Sequence, residues 1–279
     1  MKSYIIGLMA ALMVVVASTS EAAPRRIKGS GNIVSKEVSV EAFEGIHASR
    51  GIKVKLIEGT AGMVTIAADD NLIEWVKAGV SNSVLHLTID NDVRSLQSTH
   101  VTITVPTDGR LGSLKATSAA EIESGVRIVK KHVEVKASSS GEVKADIVAE
   151  KCTIDTSSAG EYEGEIKSNF CHAEANSSAE IEMTLTTQKC YINASSAAEI
   201  VVKGAALGAT LNASSAADIL GAHFAVKHCH ADASSAGEIA ICCLEEFNGN
   251  ASSAGEIRVY GECENFSRST SSGGSIIKK

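Results

Sequence analysis

The sequence contains few of the residues that normally fill a protein core. Aromatic residues make up 4% of the 279 residues, tryptophan occurs once and proline twice. Because protein interiors are packed to a uniform density, a chain this poor in large side chains is expected to form thin, regular layers. Basic residues are also in the minority. The formal net charge of −7 argues against nucleic acid as a partner, since nucleic-acid binding needs basic patches.

Long hydrophobic runs are missing as well, except near the N-terminus. There, Lys2 precedes an apolar run at residues 5–17, and Ser20-Glu21-Ala22 places small residues where a signal peptidase cleaves. The run is shorter than the ~20 apolar residues of a membrane-spanning helix. We therefore predict a signal peptide at residues 1–22, export of the mature chain to the periplasm, the cell surface or the medium, and no transmembrane span.

An internal repeat occupies the C-terminal two thirds of the chain. Each copy has small residues and serine, then an acidic residue, then usually isoleucine or valine. Successive acidic positions are 18 to 21 residues apart. Repeats of this length are typical of solenoids, in which each unit buries its apolar face against the next copy. The eight copies are residues 116–122, 137–143, 156–162, 175–181, 194–200, 213–219, 233–239 and 251–257, and residues 270–276 form a degenerate ninth.

The residues before each copy alternate between apolar and polar, as in Cys171-His-Ala173-Glu-Ala175. A period of two indicates a strand with one buried face. A second short strand follows each copy, and the serine-rich segment between them is a tight corner. Residues 111–279 are therefore predicted to form an all-β parallel β-helix (β-solenoid) of eight or nine coils with a period of about 19 residues. The preference for right-handed crossovers favours a right-handed solenoid.

Residues 23–110 are less regular and are predicted to form irregular first coils that cap the solenoid. Strand-like patterns occur in this region, and residues 69–76, which include Trp75, are predicted to form a short helix. The predicted strands are residues 38–43, 51–58, 63–67, 84–90 and 101–106.

This N-terminal region resembles the putative auto-transporter adhesin family, described by a head GIN domain. The resemblance implies a right-handed β-helix shaped like pectin lyases but without their catalytic residues, export by Gram-negative bacteria, and a role in cell adhesion. The chain lacks the lipobox cysteine of some relatives, and we expect no translocator domain after the repeats. The matching segments are Gly29-Ser-Gly-Asn-Ile33, Val40-Glu-Ala-Phe43 with Ile46, Gly51-Ile-Lys-Val54, Ala67-Ala-Asp-Asp-Asn-Leu72 and Val101-Thr-Ile-Thr-Val-Pro106.

The acidic positions of the repeat should stack in a column, with neighbours ~4.8 Å apart. Calcium between coils is one interpretation, because Ca²⁺ takes several oxygen ligands at once. The calcium-binding nonapeptide of β-rolls is absent, however, and a solvated acidic edge is our preferred interpretation. The column consists of Glu121, Glu142, Glu161, Glu180, Glu199, Asp218, Glu238 and Glu256.

Cysteine and serine also recur at equivalent positions of the repeat. Cys152, Cys171, Cys190 and Cys229 are predicted to point inward as a stack of buried thiols. A serine of each copy forms another column, and we expect its hydroxyls to bond backbone groups at the corner.

His228 and His230 share one outer face and form a candidate surface metal site, although Cys229 between them points inward. Seven cysteines in all cannot pair completely within one molecule.

Neither catalytic nor cofactor-binding residues are predicted, and calcium is the single candidate cofactor. The leading hypothesis is a non-catalytic binding or adhesion module whose polar ladder contacts a glycan or a protein of the envelope or host. A carbohydrate-active enzyme on a pectin-lyase-like β-helix is the first alternative. It would need two acids at a set separation in a cleft. A structural protein of the envelope is the second alternative.

Overall fold

A computed structural model of the protein describes residues 25–279, and the predicted signal peptide lies outside this range. Within it, the chain is almost entirely β-structure, and none of its helices is long and apolar enough to cross a membrane. The strands are β1 (Arg25–Lys28), β2 (Ile33–Ser39), β3 (Gly45–Ser49), β4 (Lys53–Glu58), β5 (Met63–Asp69), β6 (Val76–Ser81), β7 (Val84–Ile89), β8 (Val93–Gln97), β9 (Val101–Thr107), β10 (Ser113–Thr117), β11 (Glu121–Ser124), β12 (Ile128–Ser138), β13 (Glu142–Lys144), β14 (Ile147–Ser157), β15 (Glu161–Asn176), β16 (Glu180–Ser195), β17 (Glu199–Ser214), β18 (Asp218–Ser234), β19 (Glu238–Ala251), β20 (Glu256–Tyr260), β21 (Asn265–Thr270) and β22 (Ser275–Lys278).

The repeats form a β-solenoid of about nine turns with a period of about 19 residues, which confirms the predicted fold class. Strands β14 to β19 pair in parallel, each with the next, so that equivalent residues of the repeat lie side by side. The coils differ from the prediction in one respect. Each of the coils β15 to β18 is one bent strand of 16 or 17 residues, not two or three short ones. The ladder with the neighbouring coils continues around these bends, so the strand is not interrupted there.

The core of the solenoid is thin because small residues fill one side of it. Before each turn, an inward column is mostly alanine, and after the turn the inward column is mostly isoleucine or valine. Cys152, Cys171, Cys190 and Cys229 are also buried, which confirms the predicted stack of thiols, with Ala209 taking one position between them. Facing columns of small and branched residues explain how the chain forms a dense core with few aromatic residues.

Each turn contains two consecutive residues in the left-handed backbone region. At Ser177 and Ser178, φ is 55° and 58°, and the equivalent pairs have similar values. L-residues pay about 1–2 kcal/mol each for this conformation. In return, the N–H group of Ser178 donates to the carbonyl of Ser196 in the next coil at 3.1 Å, so hydrogen bonds continue around the corner. Contrary to our expectation, the backbone holds this corner, and the column serines expose their side chains to solvent.

Replacing Ala216 with valine is expected to destabilise the solenoid by about 1–2 kcal/mol, because a β-branched residue fits poorly at a φ of 57°. Ala216→Gly is the control, since glycine adopts this conformation without strain. Urea unfolding followed by circular dichroism measures both. Equal stability of the two variants would contradict a role for backbone conformation at this position.

The N-terminal region adds coils to the same stack. Strand β3 pairs in parallel with β10 and β7, and β4 pairs in parallel with β11 and β9. Antiparallel pairs, β2 with β5, β5 with β9 and β6 with β7, then cover this end of the solenoid. Because these strands run antiparallel to their neighbours, the parallel stacking of coils ends here, and β2 and β6 each pair along one edge only.

Two local predictions in the N-terminal region were wrong. The strand expected at residues 38–43 lies earlier, at β2, and the helix expected at 69–76 is only a 3₁₀ turn at Ile73–Trp75. Asp69 ends β5 instead of starting a helix, because its buried carboxylate accepts hydrogen bonds from the N–H groups of His100 and Gly31, both at 2.7 Å. These bonds, that from His100 foremost, lower the pKa of Asp69.

Candidate functional site

The structure places the predicted acidic column in one continuous register, from Glu121 to Glu256, with none of its members buried. Basic residues pair with its two ends. Glu121 lies 2.6 Å from Lys53, and Arg258 contacts both Glu238 and Glu256. Partial burial, followed by the charge of Glu238, raises the pKa of Asp218. Within residues 25–279, no group of three or more acidic, histidine or cysteine side chains is arranged to hold a metal ion. The calcium interpretation stays a prediction to be tested.

Changing Glu161, Glu180 and Glu199 together to glutamine is expected to leave the melting temperature unchanged or to raise it. These carboxylates, of which Glu161 and Glu180 are exposed and Glu199 is half-buried, repel one another along the column, and the change removes that repulsion. Calcium should then affect the parent protein no more than salt of matched ionic strength, because screening does not depend on the ion. A calcium-specific rise in melting temperature that disappears in the triple variant would instead establish a calcium site.

His228 and His230 both lie on the outer face of β18, as predicted, and each lies close to a carboxylate. His228 lies 3.5 Å from Glu246 and 3.7 Å from Glu245, and the Nε2 atom of His230 lies 2.9 Å from Asp232. The two-histidine metal site stays a prediction, and both histidines also belong to a larger surface feature.

This feature is an open groove of about 770 Å³ that crosses the outer face of β15 to β19. Adjacent coils are ~4.8 Å apart, so five coils give the groove a length of about 19 Å along the solenoid axis. Two outward columns line it. The first column is Phe170, Lys189, Gly208, His228 and Glu246, and the second is His172, Tyr191, Thr210, His230 and Asn248.

The side chains that line the groove are smallest at β17, where the two outward positions are Gly208 and Thr210. Gly208 lies between Lys189 and His228, and Thr210 lies between Tyr191 and His230. The fold does not require glycine at position 208. A Cβ atom there would meet no atom closer than 3.9 Å, and its backbone is not left-handed. These two small residues therefore leave a slot one coil wide, whose walls on β16 and β18 are about 10 Å apart.

Neighbouring side chains fix the walls of the slot. The ring of Tyr191 stacks on that of His172, with centroids 5.1 Å apart and an angle of 8° between the planes. The Nδ2 group of Asn212 donates a hydrogen bond of 2.8 Å to the Tyr191 hydroxyl. Asp232 holds His230 on the opposite wall. Because each wall is held by a partner, the slot is preformed, as small-molecule sites usually are.

Ionised groups surround the groove. Lys189 is an exposed cation at one side, and Glu246 is an exposed carboxylate at the other. Lys227, 2.7 Å from Glu245, lowers the pKa of that carboxyl through a hydrogen bond, so Glu245 is ionised at neutral pH. The groove thus combines aromatic faces with hydrogen-bonding groups of both charges.

The sequence interpretation missed this groove, although the repeat contained a signal for it. Aromatic residues are scarce in the chain, yet Phe170 and Tyr191 stand at outward positions of neighbouring coils, three histidines lie in the same two columns, and Gly208 and Thr210 interrupt the column of large residues. A comparison of outward columns, coil by coil, would have shown this cluster.

The sequence matches a family model described as "Putative auto-transporter adhesin, head GIN domain" twice, at residues 42–168 and 161–263. Together these matches cover most of the chain. The chain belongs to this family. The predicted family resemblance is thereby confirmed, and the family's description as adhesins supports a binding role at a surface.

Solved structures show the same fold as this head GIN family member. A putative adhesin from Parabacteroides merdae aligns over 91% of this chain and 99% of its own, with 15% identity and a TM-score of 0.67. A putative adhesin and a putative lipid binding protein, both from Parabacteroides distasonis, each align over 91% of this chain and 100% of their own, with 18% identity and a TM-score of 0.62. No curated protein sequence matches the chain.

Proposed function

We propose that the protein is an exported, non-catalytic binding module that holds a glycan in the groove across β15 to β19. The observation that carries this proposal is the slot at Gly208 and Thr210, bounded by the Tyr191 ring on one side and His230 on the other. The sequence left two other hypotheses open, a structural protein of the envelope and a host or envelope protein as the partner. No feature described for residues 25–279 supports either of them as specifically as the slot supports a glycan.

The slot suits a sugar ring in both shape and chemistry. The C–H groups on one face of a sugar form an apolar surface with slightly positive hydrogens, which pack onto the negative face of an aromatic ring. One face of Tyr191 is covered by His172, and its other side borders the slot. A gap of about 10 Å between the walls leaves room for a single ring between them.

Polar side chains around the slot match the hydroxyl groups of a glycan. Thr210 and Asn248 each offer a donor and an acceptor, Lys189 donates and Glu246 accepts. The length of about 19 Å allows further sugar units to contact the side chains of the neighbouring coils. Weak contacts repeated in this way raise overall affinity.

A non-catalytic role agrees with the electrostatics of the groove. A glycosidase needs a carboxylic acid with a raised pKa to protonate the leaving group. The neighbouring Lys227 does the opposite to Glu245, whose pKa it lowers. Among the described residues that line the groove, Glu246 is the one carboxylate, whereas a glycosidase uses two.

A glycan array with the purified mature protein tests the proposal. Tyr191→Ala is expected to weaken binding roughly 3- to 10-fold, because one aromatic contact contributes about 0.5–1.5 kcal/mol. The double variant Gly208→Lys/Thr210→Tyr copies Lys189 and Tyr191 of the preceding coil into the slot and should abolish binding while the melting temperature stays unchanged. Tyr260→Ala, outside the groove, is the control.

Three outcomes would overturn the proposal. Glycan binding that survives the slot-filling double variant would place the site elsewhere. Binding to lipid vesicles or to envelope proteins, without binding to any glycan, would identify a different partner. Release of shortened sugars from a bound oligosaccharide would show that the groove is an enzyme active site.

A further inference from the structure

A pair of buried thiols joins the last two coils of the solenoid. The Sγ atoms of Cys243 and Cys263 lie 3.5 Å apart, and each thiol also donates to a backbone carbonyl, that of Glu246 or Asn265, at 3.1 Å. Both side chains are almost completely buried. Cys243 thus contacts the backbone of Glu246, which lines the groove, but the proposed function makes no use of the cysteine pair.

The other buried cysteines are arranged differently. Cys152, Cys171 and Cys190 are direct partners in parallel register, so their side chains run side by side with Cβ atoms ~4.8 Å apart. A disulfide needs Cβ atoms about 3.5–4.5 Å apart whose bonds converge. Direct register therefore disfavours a disulfide in that column.

The register is interrupted where Cys243 and Cys263 lie. The last pair before them is Cys242 with Tyr260, and the next pair is Glu246 with Asn265. Three residues lie between Cys242 and Glu246, whereas four lie between Tyr260 and Asn265. The later coil therefore carries one extra residue, as in a β-bulge. The extra residue frees the Cys263 side chain from parallel register and lets it lean towards Cys243.

We propose that Cys243 and Cys263 form a disulfide in an oxidising compartment, which fastens the terminal coil to the rest of the solenoid. The two thiols lose two protons and two electrons and form one S–S bond. A disulfide-containing oxidant, such as glutathione disulfide or a dithiol oxidase, accepts them and becomes two thiols. The exchange passes through a mixed disulfide between one cysteine and the oxidant.

The bond forms before the terminal coil closes. Burial raises the pKa of the Cys243 thiol to about 12, so the folded protein holds very little of the reactive thiolate. The terminal strands β21 and β22 each pair along only one edge with an earlier strand, so this coil opens more readily than the central ones. Once formed, the disulfide restricts that opening.

The test is to refold the full chain from denaturant with glutathione disulfide and reduced glutathione, then alkylate the remaining thiols in denaturant without reduction, and map the peptides by mass spectrometry. We expect one cross-link, between Cys243 and Cys263, and alkylated cysteines at the other five positions. Cys242→Ser should keep the cross-link, whereas Cys263→Ser should lose it. Alkylation of both Cys243 and Cys263 in the refolded parent, or a bond from Cys263 to Cys242, would overturn the proposal.

Stability provides an independent measurement. Dithiothreitol should lower the melting temperature of the oxidised parent by about 5–10 °C, as expected for a disulfide that closes a loop of this size. The reductant should not change the melting temperature of Cys263→Ser, which cannot form the disulfide. It should lower the melting temperature of Cys171→Ser by the same amount as that of the parent, because this variant keeps the disulfide. An unchanged melting temperature of the cross-linked parent would contradict its role as a fastening of the terminal coil.

Discussion

Replacing Cys171 with lysine is expected to prevent the solenoid from folding. The thiol is completely buried between Cys152 and Cys190 of the adjacent coils, and its contact with Cys152, together with burial, raises its pKa well above the usual value. An ammonium group at this position would have no partner and no water, at a cost of about 5 kcal/mol or more. That cost matches the whole stability of many domains, about 5–15 kcal/mol.

Two further variants separate burial of charge from other causes. Cys171→Ala removes only a small apolar group and should cost about 1 kcal/mol. Thr153→Lys introduces the same charge one position after Cys152 but on the outer face, so it should leave the free energy of unfolding within about 0.5 kcal/mol of the parent. Urea unfolding and the soluble yield measure all three. A folded, equally stable Cys171→Lys variant would show that the column faces solvent.

The second large effect is expected at Gly164, which compensates for a large neighbour. Tyr162 is buried, and its hydroxyl donates to the carbonyl of Ala145 at 2.9 Å. A Cβ atom at Gly164 would overlap that same carbonyl oxygen and lie 2.8 Å from the Tyr162 hydroxyl. In the next coil the partners of these two positions are Ile181 and Met183, a medium-sized pair instead of a large and a small one.

Gly164→Met should therefore destabilise the protein by about 3 kcal/mol or more, through overpacking against backbone. Tyr162→Ile should cost about 2 kcal/mol, from the cavity and the lost hydrogen bond. The double variant copies the pair of the next coil and should cost at least about 1 kcal/mol less than the sum of the two. Met183→Leu, a volume-conserving control, should cost under about 1.5 kcal/mol. Strict additivity in chemical unfolding would contradict this compensation.

Much of the fold follows from the sequence alone. The spacing of the acidic positions predicted the period of about 19 residues, and the alternation around Cys171 predicted which side chains point inward. Such inferences succeed because a strand has a period of two and each coil contacts only its neighbours, so the pattern of one repeat determines the environment of every copy. The resemblance of the N-terminal segments to the head GIN family was likewise visible without a structure.

Where the chain departs from the repeat, the sequence was a poorer guide. In the N-terminal region, Asp69 was assigned to a helix because local composition allowed one. Its carboxylate instead binds the N–H groups of His100 and Gly31, which are distant in sequence. The turn serines were assigned a hydrogen-bonding role, whereas the backbone conformation forms the corner. Both errors concern partners that a local pattern does not contain.

The sequence by itself determined that the chain is an all-β solenoid, which residues of the repeat form its core, and that the acidic positions of the repeat lie in one column. Only the tertiary structure decided where the groove lies and that Cys243 meets Cys263. The groove combines side chains from five coils, and its opening depends on the small residues Gly208 and Thr210, which lie between larger neighbours. The cysteine pair depends on a break in register. Both features arise from differences between coils that stacking brings together, and a repeat pattern describes only what the coils share.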